Sequence, residues 1–366
     1  MPSYIARRVL LIVPTLLVIL TLNFFLVQTA PGGPVEQFIA KLEGTEDQFM
    51  ERVGGSGADI TISEREGGAA SESYTGSRGL SPELIQAIRE MYGFDKPIVE
   101  RYFTMVRDFV SLDFGNSLFK AESVVSLLRN ALPVSITLGL WSTLTIYLVS
   151  IPLGIARAVR RGSRFDVGAG VTVVVASTIP GFLFAVLLIV LFSGGSYFKL
   201  FPLRGLVSLG AENWPFWRQV LDYFHHITLP LLSMTIGGFA GLTLLTRNSF
   251  LEELGKQYVE TARAKGLGER AVLYGHVFRN AMLIIISGMP ATFVRMFFAS
   301  SLLIETIFSL NGLGLLGFEA AMQRDYPVMF ATLYIFTLIG MITSLLGDLT
   351  LRAVDPRIDF AGRRRI

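Results

Sequence analysis

The chain has 366 residues, of which 51% are apolar and only 17% charged, with a mean hydropathy of +0.54. A water-soluble domain usually carries about 25% charged residues, so this composition belongs to a membrane protein. With no cysteine and only three histidines, disulfides, thiolate chemistry and Cys/His zinc sites are excluded, and the pI near 9.1 reflects basic residues that hold membrane loops on the cytoplasmic side rather than a nucleic-acid surface.

A helix needs about 20 apolar residues to cross a hydrocarbon core of roughly 30 Å. In chain order, residues 9–29, 134–156, 167–193, 227–245, 281–304 and 328–350 meet that length. The expectation is an all-α membrane protein with six transmembrane helices. Arg7 and Arg8 ahead of the first span resemble the basic start of a signal peptide. Its apolar run is longer than the usual ~7–15 residues, and Gln28 spoils an A-x-A cleavage site before Pro31, so it reads as a retained helix.

Orientation follows from Lys and Arg. Segments 1–8, 157–166, 246–280 and 351–366 hold 2, 4, 6 and 5 of them, whereas 194–226 and 305–327 hold 3 and 1. The positive-inside rule places both termini in the cytoplasm. Segment 30–133 carries 10 Lys/Arg against 16 Asp/Glu and is expected outside. Within it, residues 36–80 are rich in Gly, Ser and Glu and bury too little apolar surface to offset ordering entropy, which predicts a flexible loop. Ser81, Pro82 and Glu83 read as a helix start and Gly93 as its end. A second amphipathic helix is expected from Pro97 to about Ser111, with Val99, Tyr102, Phe103, Val106 and Phe109 on one face. It should cover the helix bundle or a docking partner. Trp214 and Trp217 suit the outer interface.

The domain plan is therefore an N-terminal transmembrane helix (1–30), an external insertion (31–133), a five-helix core (134–350) and a cytoplasmic tail (351–366). Loop 246–280 is the longest cytoplasmic loop of that core. Phe250 to Lys265 has helical composition, Gly266 is a natural stop, and Glu269 begins a second helix toward Ala281. Thr261, Ala262 and Ala264 are small enough for close approach to another protein, with Glu260, Arg263 and Lys265 available as rim ion pairs. The residues alone allow either a docking helix or an ordinary basic juxtamembrane loop. No Walker A, HExxH, GxSxG or EF-hand pattern occurs, so the chain shows no catalytic constellation.

Arg295 is predicted near the midplane of the fifth span, roughly 13 Å from its outer end. A charge there costs about 2.5–3.5 kcal/mol, so it should face protein or water. Gly288, Ala291, Thr292 and Ala299 share its helix face and make room beside it. That stripe suits a translocation path in which Arg295 meets an anionic substrate group, and equally a structural ion pair within close helix packing. Gly237-x-x-x-Gly241 is a candidate helix-packing motif. Pro152, Pro180 and Pro290 are candidate kinks. Asp348 is expected to snorkel or to pair with Arg352, and His225-His226 to anchor an interface. Glu305 and Asp325 flank the outer mouth, as gate or binding-protein contacts or as solvated loop residues.

Glu260-Thr261-Ala262, three residues and then Gly266 resemble the EAA-x-x-x-G motif of ABC importer permeases, and the wider string YVETARAKGLGERAVLYGHVFRNA resembles their peptide-importer branch. IARRVLLIVPTLLVILTLNFFLVQTAPGGP, ETIFSLNGLG (305–314), RDYP (324–327) and DPRI (355–358) match that branch in the same order. The long insertion and PGGP resemble most the oligopeptide and microcin C importer permeases. The resemblance implies the type I ABC importer permease fold in a bacterial inner membrane. It implies that Glu260, Thr261, Ala262, Arg263, Lys265, Gly266 and Arg279 form the loop that couples to ATPase subunits. It also implies a second homologous permease, a periplasmic peptide-binding protein and a peptide substrate, with lipid around the spans and no nucleic acid. No cofactor is expected on this chain; ATP and Mg would be held by the ATPase subunits. Thr261 replaces the motif's first Ala, and Gly268 stands where a Ser would cap the next helix better. The alternative from another class is an ion-coupled secondary transporter, which would show inverted repeats and paired intramembrane acids.

Overall fold

In the computed structural model the described residues are 2–29, 86, 96–120, 122–194, 197–298 and 301–354. Among them regular structure is helical, apart from an isolated bridge between Asn116 and Ser123. The expected flexible loop 36–80 and the helix expected at 81–92 lie outside the described residues, Gln86 excepted. The helices are α1 (Pro2–Thr29), α2 (Ile98–Val110), α3 (Val124–Val159), α4 (Arg164–Thr178), α5 (Gly181–Phe192), α6 (Phe216–Thr235), α7 (Gly238–Leu254), α8 (Gln257–Ala264), α9 (Glu269–Val272), α10 (Phe278–Phe298), α11 (Ser301–Ile307), α12 (Leu313–Met322) and α13 (Tyr326–Val354). Residues Leu273–Val277 form a π-turn that joins α9 to α10.

Among the described residues four helices are long and apolar enough to cross a membrane: α1, α3, the α9–α10 run and α13. The third and fourth expected spans are not single rods. Helices α4 and α5 meet at a 91° bend, and α6 and α7 at 62°, so six spans result only if each bent pair is one. The first bend lies at Pro180, whose ring disfavours helical geometry at the preceding residue; Ile179 is extended at φ −78°, ψ 118°. The second lies at Gly237-Gly238, where missing side chains lower helix propensity. Pro152 and Pro290 sit inside continuous helices.

The chain divides into two compact units. The first comprises Met1–Val13, Ser126–Glu319 and Ile335–Ile366. One of its apolar clusters joins Ile146 and Tyr147 of α3, Phe250 of α7, Val259 and Ala262 of α8, Val272, Val277, and Ala281 and Ile285 of α10. Another joins Leu138 of α3, Ala185 and Leu188 of α5, Leu229 and Met234 of α6, Ile304 of α11 and Phe308 just after it. Close approaches depend on glycine. A Cβ on Gly181 would meet Ser233 O at 2.8 Å, which lets α5 cross α6 backbone to backbone, and the Pro290 ring fills the place of a Cβ on Gly347. Asp348 pairs with Arg8 at 2.6 Å and accepts from Tyr4 at 2.7 Å, so its partner is the start of α1 and not Arg352.

The second unit comprises Pro14–Val125 and Ala320–Tyr334. Tyr102 of α2 packs edge-on against Phe24 of α1 and shares a 2.7 Å hydrogen bond with Thr21. Phe109 of α2 and Phe114 both pack against Tyr334 of α13. Asp325 is buried. It accepts from the Ser117 hydroxyl and from Leu118 N at 3.3 Å, which holds loop 115–120 in place.

Candidate coupling loop and translocation cavity

Loop 246–280 folds as helix, glycine turn, helix. One correction concerns its start: α7 ends at Leu254, the helix is interrupted at Gly255 and Lys256, and the loop helix α8 begins afresh at Gln257. The end of α8 follows from its hydrogen bonds. Leu267 N donates to Ala262 O at 3.3 Å and Gly266 N to Arg263 O at 2.9 Å. This pair of bonds is a Schellman cap, which needs a left-handed residue at the position Gly266 occupies. Gly266 has φ +81°, a region open to glycine and strained for a residue with Cβ. Gly268 starts α9 in extended geometry with no side-chain cap.

The Arg263 guanidinium donates to both carboxylate oxygens of Glu269 across the turn, at 2.9 and 3.1 Å. That pairing holds the Arg263 pKa above its ordinary value. At the other end of α8, Glu253 accepts from Lys256 and, at 2.7 Å, from Tyr258. The hydrogen bond to Glu253 raises the Lys256 pKa; burial, and then the same carboxylate, push the Tyr258 hydroxyl up.

Ala262 is buried, packed with Val259, Val272 and Val277. Its small size therefore lets α8 lie on the second half of its own loop, and is not spent on another protein. Glu260, Thr261, Arg263, Ala264, Lys265, Gly266 and Arg279 are exposed. The result is a polar ridge on a rigid helix, fixed from below by apolar contacts and at both ends by carboxylates.

Above the loop helices, a cavity of about 530 Å³ opens between α3, α5, α6, α7, α10 and α11. Gly288 and Thr292 line it, as do Tyr147, Ser233, Gly237 and Gly241. Thr292 turns its hydroxyl back to Gly288 O at 3.1 Å. The side chain of Arg295 and the whole of Ala299 lie outside the described residues. Gly237 and Gly241 have no atom within 4 Å of a notional Cβ, so among the described residues they pack against no helix and instead widen the cavity. The close helix contact belongs to their neighbour Gly238, whose Cβ position is taken by Ile146.

Glu305 and Asp325 are not surface contacts. Glu305 is fully buried; it accepts from Ser135 Oγ at 3.1 Å and from Leu315 N at 2.7 Å. Its carboxylate occupies the space a side chain on Gly312 would need, so the acid and the glycine of ETIFSLNGLG form one packed unit. A buried carboxylate must be hydrogen-bonded, and both acids meet that demand within their own units.

A cluster that sequence reading missed lies where α3, α4 and α7 come together. Buried Asp166 accepts from Arg157 Nε at 3.1 Å, from Arg247 Nε and NH2 at 2.8 and 2.7 Å, and from Gly162 N at 3.2 Å. Ser163 caps α4 by accepting from Asp166 N. Only the S-x-x-D spacing was visible locally.

The family described as "Binding-protein-dependent transport system inner membrane component" matches residues 150–360. The chain belongs to this family. The matched region holds loop 246–280, the cavity lining except Ile146 and Tyr147, and the Asp166 cluster of this permease, and leaves the insertion outside. "Inner membrane ABC transporter permease protein YejB" of Escherichia coli O157:H7 is 59% identical over 364 residues, spanning 99% of this chain and 100% of the relative. "Peptidoglycan transport system permease protein YejB" of Agrobacterium fabrum is 50% identical over 99% of this chain and 100% of its own. "Oligopeptide transport system permease protein AppB" of Bacillus subtilis is 32% identical over 98% and 100%. A solved structure of inward facing conformations of the MetNI methionine ABC transporter aligns with a TM-score of 0.48 at 17% identity, over 63% of this chain and 97% of that chain. Family membership, together with apolar helices that supply up to six spans, makes the permease a multi-pass inner membrane protein and sets aside the ion-coupled transporter alternative.

Proposed function

We propose that this permease forms half of the pathway of an ATP-driven importer for oligopeptides or peptide-like compounds of the microcin C type. The observation that carries the reading is near-full-length similarity to ABC transporter permeases, an oligopeptide permease among them. It is supported by an exposed ridge on a rigid, glycine-capped helix at the EAA position. In this reading Glu260, Thr261, Arg263, Lys265 and Gly266 seat in an ATPase subunit, with Ala262 as the internal bearing and Arg279 on the following helix. Two ATPase domains bind ATP and Mg below, a second homologous permease completes the pathway, and a periplasmic peptide-binding protein delivers the peptide from above. Both termini lie in the cytoplasm, in line with the distribution of Lys and Arg. The chain itself performs no bond chemistry.

Substrate passes along the cavity beside Gly288 and Thr292. Arg295, about one helical turn beyond Thr292, meets the anionic end of the peptide; normal transport of such peptides by Arg295→Met would remove that role. A second reading of the substrate, peptides derived from peptidoglycan, is favoured by the 50% identical relative named for peptidoglycan transport.

The test of coupling is peptide-stimulated ATPase activity of the assembled complex in liposomes, comparing wild type with Gly266→Asp and Glu260→Arg. The variants should lose stimulation while the permease remains inserted. Unchanged stimulation would dissociate the ridge from coupling. Competition by peptidoglycan-derived peptides against oligopeptides distinguishes the two substrate readings.

A further inference from the structure

Helix α2 (Ile98–Val110) lies in the insertion between the first two spans. At about 100° per residue its side chains fall into three sectors. Phe109 is buried, and Tyr102 and Met105 beside it are half-buried. On the opposite side Glu100, Thr104, Arg107 and Asp108 form a polar arc, with the Arg107 side chain 82% exposed. Between them runs Val99, Phe103, Val106 and Val110. Val99, Phe103 and Val110 in that third sector are 66%, 64% and 71% exposed. Burying the first sector already anchors the helix, so the second apolar sector has no role in water.

The anchors show where the helix lies. Tyr102 touches Thr21 and Phe24 of α1, and Thr21 is roughly 10 Å along the helix from Gln28, the first polar residue beyond the apolar run. Phe109 touches Tyr334 of α13, roughly 13 Å along the helix from Asp325. Both contacts fall within the apolar length of helices that cross the membrane. A helix held at that depth at both ends is beside the hydrocarbon rather than above it. Leu22 and Phe25, the neighbours of the residues Tyr102 touches, are 64% and 56% exposed on α1 and continue the same apolar surface.

We infer that α2 is an interfacial helix: Val99, Phe103, Val106 and Val110 insert among the acyl chains of the leaflet at the Gln28 end of α1, while the polar arc faces water. This goes beyond the proposed transport function and rests on α1 and α13 being membrane spans. A helix with one apolar and one charged face lies in the plane of the interface in this manner. Its partner is lipid, and the insertion is held down at its root.

The chain has no cysteine, so single cysteines at Val99, Phe103, Val110, Glu100, Thr104 and Arg107, all exposed, accept a spin label without a background. Accessibility to oxygen and to a nickel chelate is measured by power saturation in the assembled complex, in nanodiscs of phosphatidylethanolamine and phosphatidylglycerol. Leu22 serves as the lipid reference. The oxygen-to-nickel ratio at Val99, Phe103 and Val110 should approach that at Leu22 and exceed that at Glu100, Thr104 and Arg107 several-fold. High nickel accessibility at Val99 and Phe103 with Leu22 in lipid overturns the inference alone. Exclusion of both reagents means that protein covers the face, and also overturns it. Leu22 open to nickel would overturn the spanning assignment of α1 and the inference with it.

Discussion

Replacing Asp166 with asparagine removes one charge and leaves the shape of the side chain. Its consequences follow from the partners. The carboxylate is the counter-ion of two guanidinium groups, Arg157 and Arg247, whose side chains are 11% and 21% exposed while its own is 5% exposed. An asparagine offers one acceptor oxygen where the carboxylate offers two, so the bonds from Arg157 Nε, Arg247 Nε and Arg247 NH2 cannot all be kept. Two arginines are then held together in a poorly hydrated place. Breaking a buried ion pair by removing one partner typically costs about 3–5 kcal/mol. Arg247 is the more exposed of the two and can turn to water, which favours the lower end, about 3 kcal/mol. The Ser163 cap of α4 survives, since it uses the backbone N of residue 166. The assay is reversible unfolding of the purified complex in mixed detergent, for Asp166→Asn, Arg247→Met and the double variant. If the three-way cluster is the unit, removing Arg247 as well relieves the repulsion. The double variant should then cost less than the sum of the singles by more than about 1 kcal/mol, within the range seen for contacting residues. Additive losses, or an Asp166→Asn variant within about 0.5 kcal/mol of wild type, would refute the reasoning and return Asp166 to an ordinary surface pair.

At the turn after α8 two glycines should behave oppositely. Gly266→Ala meets open space but sits at φ +81°, so it should destabilise α8 by about 1–2 kcal/mol, whereas Gly268→Ser adds a cap to an extended residue and should gain a few tenths; amide exchange across residues 257–272 reads both, and the reverse order would contradict the Schellman assignment. In the ETIFSLNGLG segment, Gly312→Ala drives a methyl into the buried Glu305 carboxylate and should cost at least the ~1–3 kcal/mol of overpacking. Gly275→Ala, which has nothing within 4 Å, should be mild when both variants are compared by thermal unfolding; equal effects would mean that Glu305 can move aside.

What could be read from the sequence divides by how local its physics is. The turn at Gly266 was legible because its causes lie within a few residues, a glycine where the chain must turn left-handed and an acid at the next helix start, whereas the break at Gly255 and Lys256 was read as continuous helix. Thr261, Ala262 and Ala264 were read together as small residues for docking, yet Ala262 is buried while Thr261 and Ala264 are exposed; which side of α8 faces its own loop depends on Val272 and Val277, across the turn. Glu305 and Asp325 were misplaced for the same reason. A carboxylate near a loop is expected in water until a donor claims it, and the donors here are Ser135, a backbone N–H at Leu315, Ser117 and a backbone N–H at Leu118, remote in sequence or invisible in it.

The Gly237 bend is a different kind of failure, since its signal was in plain view. Two successive glycines in an apolar helix weaken it at that point whatever lies around. Reading Gly237 and Gly241 as a packing pair assumed a straight helix, on which residues four apart share a face. The 62° bend between α6 and α7 removes that assumption: Gly237 caps the second piece, Gly241 lies one turn inside it, and both open onto the cavity while Gly238 takes the close contact with Ile146. Glycine spacing in a membrane helix therefore carries a packing argument only after continuity of the helix has been established. In this permease Gly237, one of the two glycines at the break in the fourth span, also lines the cavity.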